Sequence, residues 1–322
     1  MDVVIAQRTG LALKNPVIAA SGTFGYGVEF ARRMDISGLG CLISKGTTRE
    51  PRTGNRPVRL TETPAGMLNA IGLQNVGVDA VVREKAPIWA SWSIPVLVNV
   101  SGTSIEDYTY VASRLDGVAG VSGIELNISC PNVKDAGTMF AAEPRLASEV
   151  TQAVRDVTEL PVIVKLSPNV ADIREIAAAV AASGADAISL VNTFYGMAID
   201  VGRRAPTLST VSGGVSGPAI KPLALHLVYQ VAQEVSIPVI GIGGIMTASD
   251  AIEFFLAGAT AVELATALLV NPGCWIDIAS DIEAWCRREG VRDLADIIGG
   301  ANSGFRRKAI KRKAGELRAA GR

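Results

Sequence analysis

Histidine is almost absent from this 322-residue chain; His226 is the single one. That excludes most His-based metal sites and weakens any Ser-His-Asp reading, since both need an imidazole. Its neighbours follow a helical pattern, so His226 is expected as a surface or packed helix residue. Cysteine is scarce too. Cys41, Cys130, Cys274 and Cys286 form no C-x-x-C pair, and their spacing suits neither a zinc site nor an iron–sulfur cluster. In a reducing compartment they are expected as free thiols. No apolar run reaches the roughly 18 residues that span a bilayer. Residues 1–8 lack the basic and long apolar stretches of a secretory signal. A cytoplasmic protein without a membrane partner is the expectation. Charge is sparse at 19% of residues and net zero. It is also uneven, because residues 305–322 hold eight basic side chains against the single acid Glu316. The body is therefore acidic by seven charges and offers nucleic acid no basic surface. The tail reads as a solvated helix or extension.

What is present is apolar material, 48% of residues, with 33 glycines. The segments 94–99, 160–165 and 237–242 repeat one pattern: an apolar residue, then proline, then a short β-branched run. Proline is tolerated at a strand's start, and runs apolar on both faces suit parallel strands. Similar runs at 17–20, 41–44, 124–128, 187–191 and 261–265 bring the strand candidates to eight. Between them lie 3.6-residue patterns such as Ile173, Ile176, Ala177 and Val180, or Leu223, Leu227, Val228 and Val231. Ser104, Asp172 and Thr247 are placed as N-caps. The alternation predicts a (β/α)8 TIM barrel, with a doubly wound open sheet as the alternative. Residues 3–6 and 11–13, joined by Thr9-Gly10, predict a short N-terminal β-hairpin. No linker-like composition divides the chain, so residues 1–322 read as one domain.

In such a barrel the reacting groups sit at the strands' C-terminal ends. Ser21, Lys45, Gly46, Asn99, Asn127, Lys165, Asn192 and Thr193 fall there, and the insert after the second strand carries residues 69–75. Asparagine amides both donate and accept, which suits the alternating edge of a pyrimidine or flavin. Lysines supply positive charge for an anionic ring or carboxylate. Any one asparagine can be explained as a turn or strand cap, but five at converging positions are harder to explain so. Glycine-rich segments at 213–217 and 241–244, and Ala265-Thr266 after the last strand, suit a phosphate. Cys130 follows a strand end between Ser129 and Pro131, unlike the other three cysteines, which read as core. It is the candidate reactive thiol.

The segments Ala20-Ser21-Gly22-Thr23-Phe24-Gly25, Ser44-Lys45-Gly46-Thr47-Thr48, Asn69-Ala70-Ile71-Gly72-Leu73-Gln74-Asn75, Glu125-Leu126-Asn127-Ile128-Ser129-Cys130-Pro131-Asn132, Val164-Lys165-Leu166-Ser167-Pro168, Val191-Asn192-Thr193 and Gly241-Ile242-Gly243-Gly244 resemble, in order, those of dihydroorotate dehydrogenases. The resemblance runs from about residue 3 to 305. It implies one FMN per chain, held by Ser21, Lys45, Gly46, Asn99, Asn127, Lys165 and Val191, with its phosphate on Gly217, Gly243, Gly244, Ala265 and Thr266. It places dihydroorotate or orotate against Lys45, Asn69, Ala70, Ile71, Gly72, Leu73, Asn127, Asn192 and Thr193. It gives Cys130 the role of base toward C5, with hydride passing from C6 to flavin N5, in de novo pyrimidine biosynthesis.

Within the family, residues 72–77 look like the cytosolic NAD-linked type (class 1B). That implies a homodimer core and a partner electron-transfer subunit carrying FAD and a [2Fe-2S] cluster, two copies of each chain together. A fumarate-dependent homodimer is the alternative within the family. Outside it stand a tRNA-dihydrouridine synthase-like flavin barrel, an inosine-monophosphate dehydrogenase-like barrel with a covalent cysteine, and a non-catalytic phosphate-ligand sensor. The acidic body argues against the RNA reading, and a flavin spectrum separates the flavin readings from the other two.

Overall fold

A computed structural model of the chain describes residues 2–129 and 140–302. Cys130, Pro131, Asn132 and the basic tail 305–322 lie outside them. The chain opens with an antiparallel hairpin, β1 (Val3–Ala6) and β2 (Leu11–Leu13), in which Val3 faces Leu13. Then follow β3 (Val17–Ala19), β4 (Cys41–Thr47), β5 (Leu60–Thr63), β6 (Gly66–Asn69), β7 (Val96–Val100) and β8 (Gly123–Asn127). The second half supplies β9 (Val162–Lys165), β10 (Ala187–Leu190), β11 (Phe194–Gly196), β12 (Ile199–Asp200), β13 (Ala205–Pro206), β14 (Gly213–Ser216), β15 (Val239–Ile242) and β16 (Ala261–Leu264).

Strands β3, β4, β7, β8, β9, β10, β15 and β16 close a parallel barrel, β16 pairing back onto β3 with Val262 opposite Val17. These are the eight apolar runs expected from the sequence. They form strands because runs of three to seven mostly buried residues are too short for a helix and are satisfied by neighbours on each side. Ser104, Asp172 and Thr247 cap the helices Ile105–Leu115, Ile173–Ala182 and Ala248–Ala257, each accepting a backbone N–H. Ile173, Ile176, Ala177 and Val180 all face inward.

The helix Lys221–Glu234 departs from its expected stripe. Leu223 is 52% exposed, and the buried face is Ala224, Val228, Val231 and Ala232. A Cβ built on Gly243 would stand 2.7 Å from the Ala224 methyl, so the backbone of this loop comes too close for a leucine there. The small residue, not the large one, sets the rotation of the helix. His226 lies exposed on this helix.

A second, four-stranded sheet, β11-β14-β6-β5, was not anticipated. It joins the insert after β4 to the excursion after β10. Gly214 lies opposite Asn69 on one side and Tyr195 on the other. The glycine-rich segment expected as a phosphate loop is therefore a strand as far as Ser216, and only Gly217 turns into the following helix. A side chain on Gly214 would collide with that of Thr193, which explains glycine within this strand.

At the opposite end of the barrel the hairpin is pinned by Asp186. Its carboxylate accepts from Arg8 Nε at 2.9 Å, Arg155 Nη1 at 3.0 Å and the Val162 N–H at 2.8 Å. The Asp186 side chain is 3% exposed. Asp186→Ala leaves the mostly buried Arg155 and the buried Val162 N–H without this acceptor and unpins Arg8 from the barrel, which should cost about 3 kcal/mol. The check is a lower urea midpoint at unchanged slope; an unaltered midpoint would mean the hairpin needs no anchor. Among the described residues no helix is long and apolar enough to cross a membrane.

Candidate active site

A cavity of about 820 Å³ lies between the barrel mouth and the four-stranded sheet. Every candidate site residue within the described part of the chain lines it: Ser21, Lys45, Gly46, Asn69, Ala70, Ile71, Gly72, Leu73, Asn99, Asn127, Lys165, Val191, Asn192, Thr193, Gly217, Gly243, Gly244, Ala265 and Thr266. Cys130 lies outside the described residues, while Ser129, one position before it, lines the cavity.

Lys165 ends β9 at the cavity floor. Its Nζ lies 3.0 Å from Glu263 Oε2, 3.3 Å from both carboxylate oxygens of Glu125, and 3.5 Å from Ser21 Oγ. Burial acts against its charge, but the two acids outweigh burial and raise its pKa, so the ammonium is fixed. Lys45 ends β4 and is in the opposite position. Burial, and then the charge of Arg59, lower its pKa. One lysine is thus locked by carboxylates, while the other points its charge at the cavity with no hydrogen-bonded acid among those described.

The asparagines divide by task. Asn127 Oδ1 accepts from Asn192 Nδ2 at 3.2 Å and from the Ser129 N–H at 3.3 Å, and Asn192 Nδ2 also reaches Ser129 Oγ at 3.1 Å. These groups present a connected polar wall beside the position of Cys130 in the sequence. Asn69 Nδ2 donates to Gly214 O at 3.2 Å and ties β6 to β14. Asn99 Nδ2 donates to Glu125 Oε2 at 2.6 Å, so this amide serves the floor as well as lining the cavity. Asn75 is the turn-maker that a plain reading of asparagine anticipates. It accepts from Thr48 N and Gly77 N and donates to Leu73 O, folding 69–75 against the end of β4. Gly72 and Leu73 both adopt positive φ, at 77° and 54°. For leucine that is unusual, and it aims the residue at the cavity beside Gly46.

At the other end of the cavity Gly217, Gly243 and Gly244 have φ of 97°, 128° and 74°. A Cβ on Gly217 would stand 2.6 Å from Gly66 Cα, and one on Gly244 would stand 2.7 Å from Lys221 Cβ. The helices Pro218–Ile220 and Thr266–Val270 both start at this end, and Thr266 Oγ1 donates to Ser216 Oγ at 2.8 Å. Lys221 does not serve it, since its Nζ is held by Asp250 at 2.6 Å and Glu253 at 2.9 Å. The result is a glycine-lined end of the cavity at two helix starts, with the Ser216 and Thr266 hydroxyls beside it, a setting that suits a phosphate.

Sequence reasoning missed Arg59, which lines the cavity and donates to Gln74 Oε1 at 2.7 Å. It also missed Glu125 and Glu263. Both stood as charges in the middle of apolar strand runs, and a charge in such a run is rarely buried without a partner. The other cysteines behave as core. Cys41 and Cys286 are buried, and burial pushes the half-buried Cys274 thiol up to about 11.

The dihydroorotate dehydrogenase family profile matches residues 4–285. The catalytic subunit of dihydroorotate dehydrogenase B (NAD(+)) from Desulforudis audaxviator is 54% identical over 293 residues, 91% of this chain and 95% of that protein. The proteins of the same description from Geobacter sp. (strain M21) and Geobacter sulfurreducens are each 52% identical. Those alignments cover 93% and 91% of this chain and 97% and 96% of theirs. The profile and relatives span the barrel and both inserts that build the cavity, so the chain belongs to the dihydroorotate dehydrogenase family.

Proposed function

We propose that this chain oxidises dihydroorotate to orotate on a bound FMN, as the NAD-linked catalytic subunit of pyrimidine biosynthesis. The observation that carries the reading is the single cavity, polar and cationic at one end and a glycine cradle at the other. Family membership supplies the substrate. The residues fit an FMN: Gly217, Gly243 and Gly244 line the cavity at positive φ and pack too closely on Gly66, Ala224 and Lys221 to carry side chains, and the donors facing the remainder are amides and ammonium groups.

When bound, FMN supplies the hydride acceptor. The chain supplies the rest. Gly217, Gly243, Gly244, Ala265 and Thr266 hold the phosphate, with Ser21, Gly46, Asn99, Asn127 and Val191 along the ring. Lys165 would offer the flavin a fixed positive charge from the cavity floor. Lys45 faces substrate, where its lowered pKa reflects an ammonium ready to gain from an incoming carboxylate. Asn69, Asn127, Asn192 and Thr193 offer donors and acceptors to the pyrimidine edge, and the 70–73 backbone closes over it. Cys130 takes the C5 proton. A free thiol has a pKa near 8.5, so the site must make the thiolate accessible. A positioned base of this kind is worth about 10²- to 10⁴-fold in rate.

Electrons then leave through a partner subunit carrying FAD and a [2Fe-2S] cluster, in an assembly of two copies of each chain around a homodimer of this one. The four cysteines cannot build such a cluster by their spacing. Purified alone, the chain should be yellow, bleach on mixing with dihydroorotate, and reduce an artificial dye rapidly but NAD+ poorly. Assays with NAD+, fumarate and dye side by side decide it. Rapid NAD+ reduction without a partner, or rapid fumarate reduction, would overturn the electron route. A colourless protein inert to dihydroorotate after addition of FMN would overturn the activity.

A further inference from the structure

Two carboxyl groups and one ammonium share the barrel interior beneath the cavity. Glu125 is 0% exposed, Glu263 1% and Lys165 6%. Lys165 and Glu125 come from the adjacent strands β9 and β8, and Glu263 comes from β16 on the far side of the barrel. Their partners are unequal. Glu125 accepts from Asn99 Nδ2 at 2.6 Å, from Ser189 Oγ at 2.8 Å and from Lys165. Glu263 accepts from Lys165 through Oε2, and its buried Oε1 has no donor among the described residues. Two anions against one cation would leave a net negative charge and an orphaned oxygen where water cannot compensate either.

We propose that Glu125 and Glu263 hold one proton between them, carried on Glu263, and act as positioning residues that fix Lys165 at the cavity floor in a cluster of zero net charge. Glu125 keeps the anion because three donors already serve it. A proton on Glu263 turns the orphaned carboxylate into an acid that gives a hydrogen bond to Glu125. Burial and then the Glu125 charge push the Glu263 carboxyl well up, whereas Lys165 and the surrounding hydrogen bonds bring Glu125 down despite its burial. Among the described residues, the other titratable group facing the pair is the Cys41 thiol of β4. Burial and both carboxyls drive its pKa up, so it stays neutral. Lys165 therefore meets the cavity with its charge balanced by Glu125 alone.

The significance for FMN rests on the proposed function; the shared proton does not. Infrared spectroscopy of the full chain at neutral pH, with and without flavin, reads the proton directly as the carbonyl band of a buried carboxylic acid. The band should be present in both forms and absent in Glu263→Gln. Glutamine is the neutral isostere of the protonated acid, so this variant should hold FMN within about threefold of wild type. Glu263→Leu, which removes the oxygen that positions Lys165, should loosen FMN by about tenfold or more. A wild type without the band, a band that survives Glu263→Gln, or equal loosening by Gln and Leu would overturn the proposal. If wild type fails to bind FMN at all, the proposed function falls while the band still decides the proton.

Discussion

Lys165→Ala is expected to lose FMN on purification and to need about 10²-fold more flavin for saturation. The substitution removes the cation at the cavity floor and leaves Glu125 and Glu263 facing each other without it. Breaking a buried pair by deleting one partner costs about 3–5 kcal/mol, because the surviving charge stays desolvated, and each 1.4 kcal/mol is a factor of ten. Part of that cost is relieved when the acids take up protons, and part falls on flavin binding. Lys165→Ala/Glu125→Gln separates the two, since it removes the surplus anion but not the missing ammonium. The double variant should recover stability and still hold FMN poorly. Full flavin occupancy with normal turnover in Lys165→Ala would refute the role of this residue.

Cys130→Ala should bind FMN and orotate nearly as wild type does and yet be reduced by dihydroorotate about 10² to 10⁴ times more slowly, the worth of a general base. The connected wall of Asn127, Asn192 and Ser129 remains intact in this variant, so binding is preserved while proton removal is not. Cys130→Ser should fall between the two at neutral pH and recover partly at high pH, a hydroxyl being a weaker acid than a thiol. The measurement is single-turnover bleaching of the flavin on mixing with dihydroorotate. Wild-type speed in Cys130→Ala would end the proposal that this residue takes the C5 proton, and a trapped thioether adduct would make it a nucleophile instead.

The barrel was legible because its evidence is local. Residues 162–164 or 239–242 are apolar, short and bounded by turn signals, and a buried strand suits them best. The caps at Ser104, Asp172 and Thr247 were legible for the same reason. The sheet over the mouth was not. Leu60–Thr63 alternates half-exposed residues, and Gly213–Ser216 has a glycine pair that reads as a loop. Gly213–Ser216 becomes a strand by pairing with Gly66–Asn69 from the other half of the chain, which no window of sequence contains, and Leu60–Thr63 joins the sheet only through its hairpin with that same segment. The cavity wall was legible through the dihydroorotate dehydrogenase motifs at strand ends. What lies beneath it was hidden: Glu125 sits inside one of those motifs without looking like a site residue, and Glu263 meets Lys165 only when the barrel closes. Asn75 belongs to the motif as well, and it holds the loop rather than lining the cavity, the turn role that asparagine commonly takes.

The sheet over the mouth joins residues 60–69 to residues 194–216, and the Asn69 to Gly214 hydrogen bond closes a sequence separation of 145. Contacts of that span cannot reward the chain until the intervening strands are in place, because the entropy of closing so long a loop must be met first. The two halves of the pocket therefore meet only when segments far apart in the chain have folded together. Any ligand that touches both halves acts on the folding equilibrium as well as on the chemistry, since it binds only after the two distant segments have met.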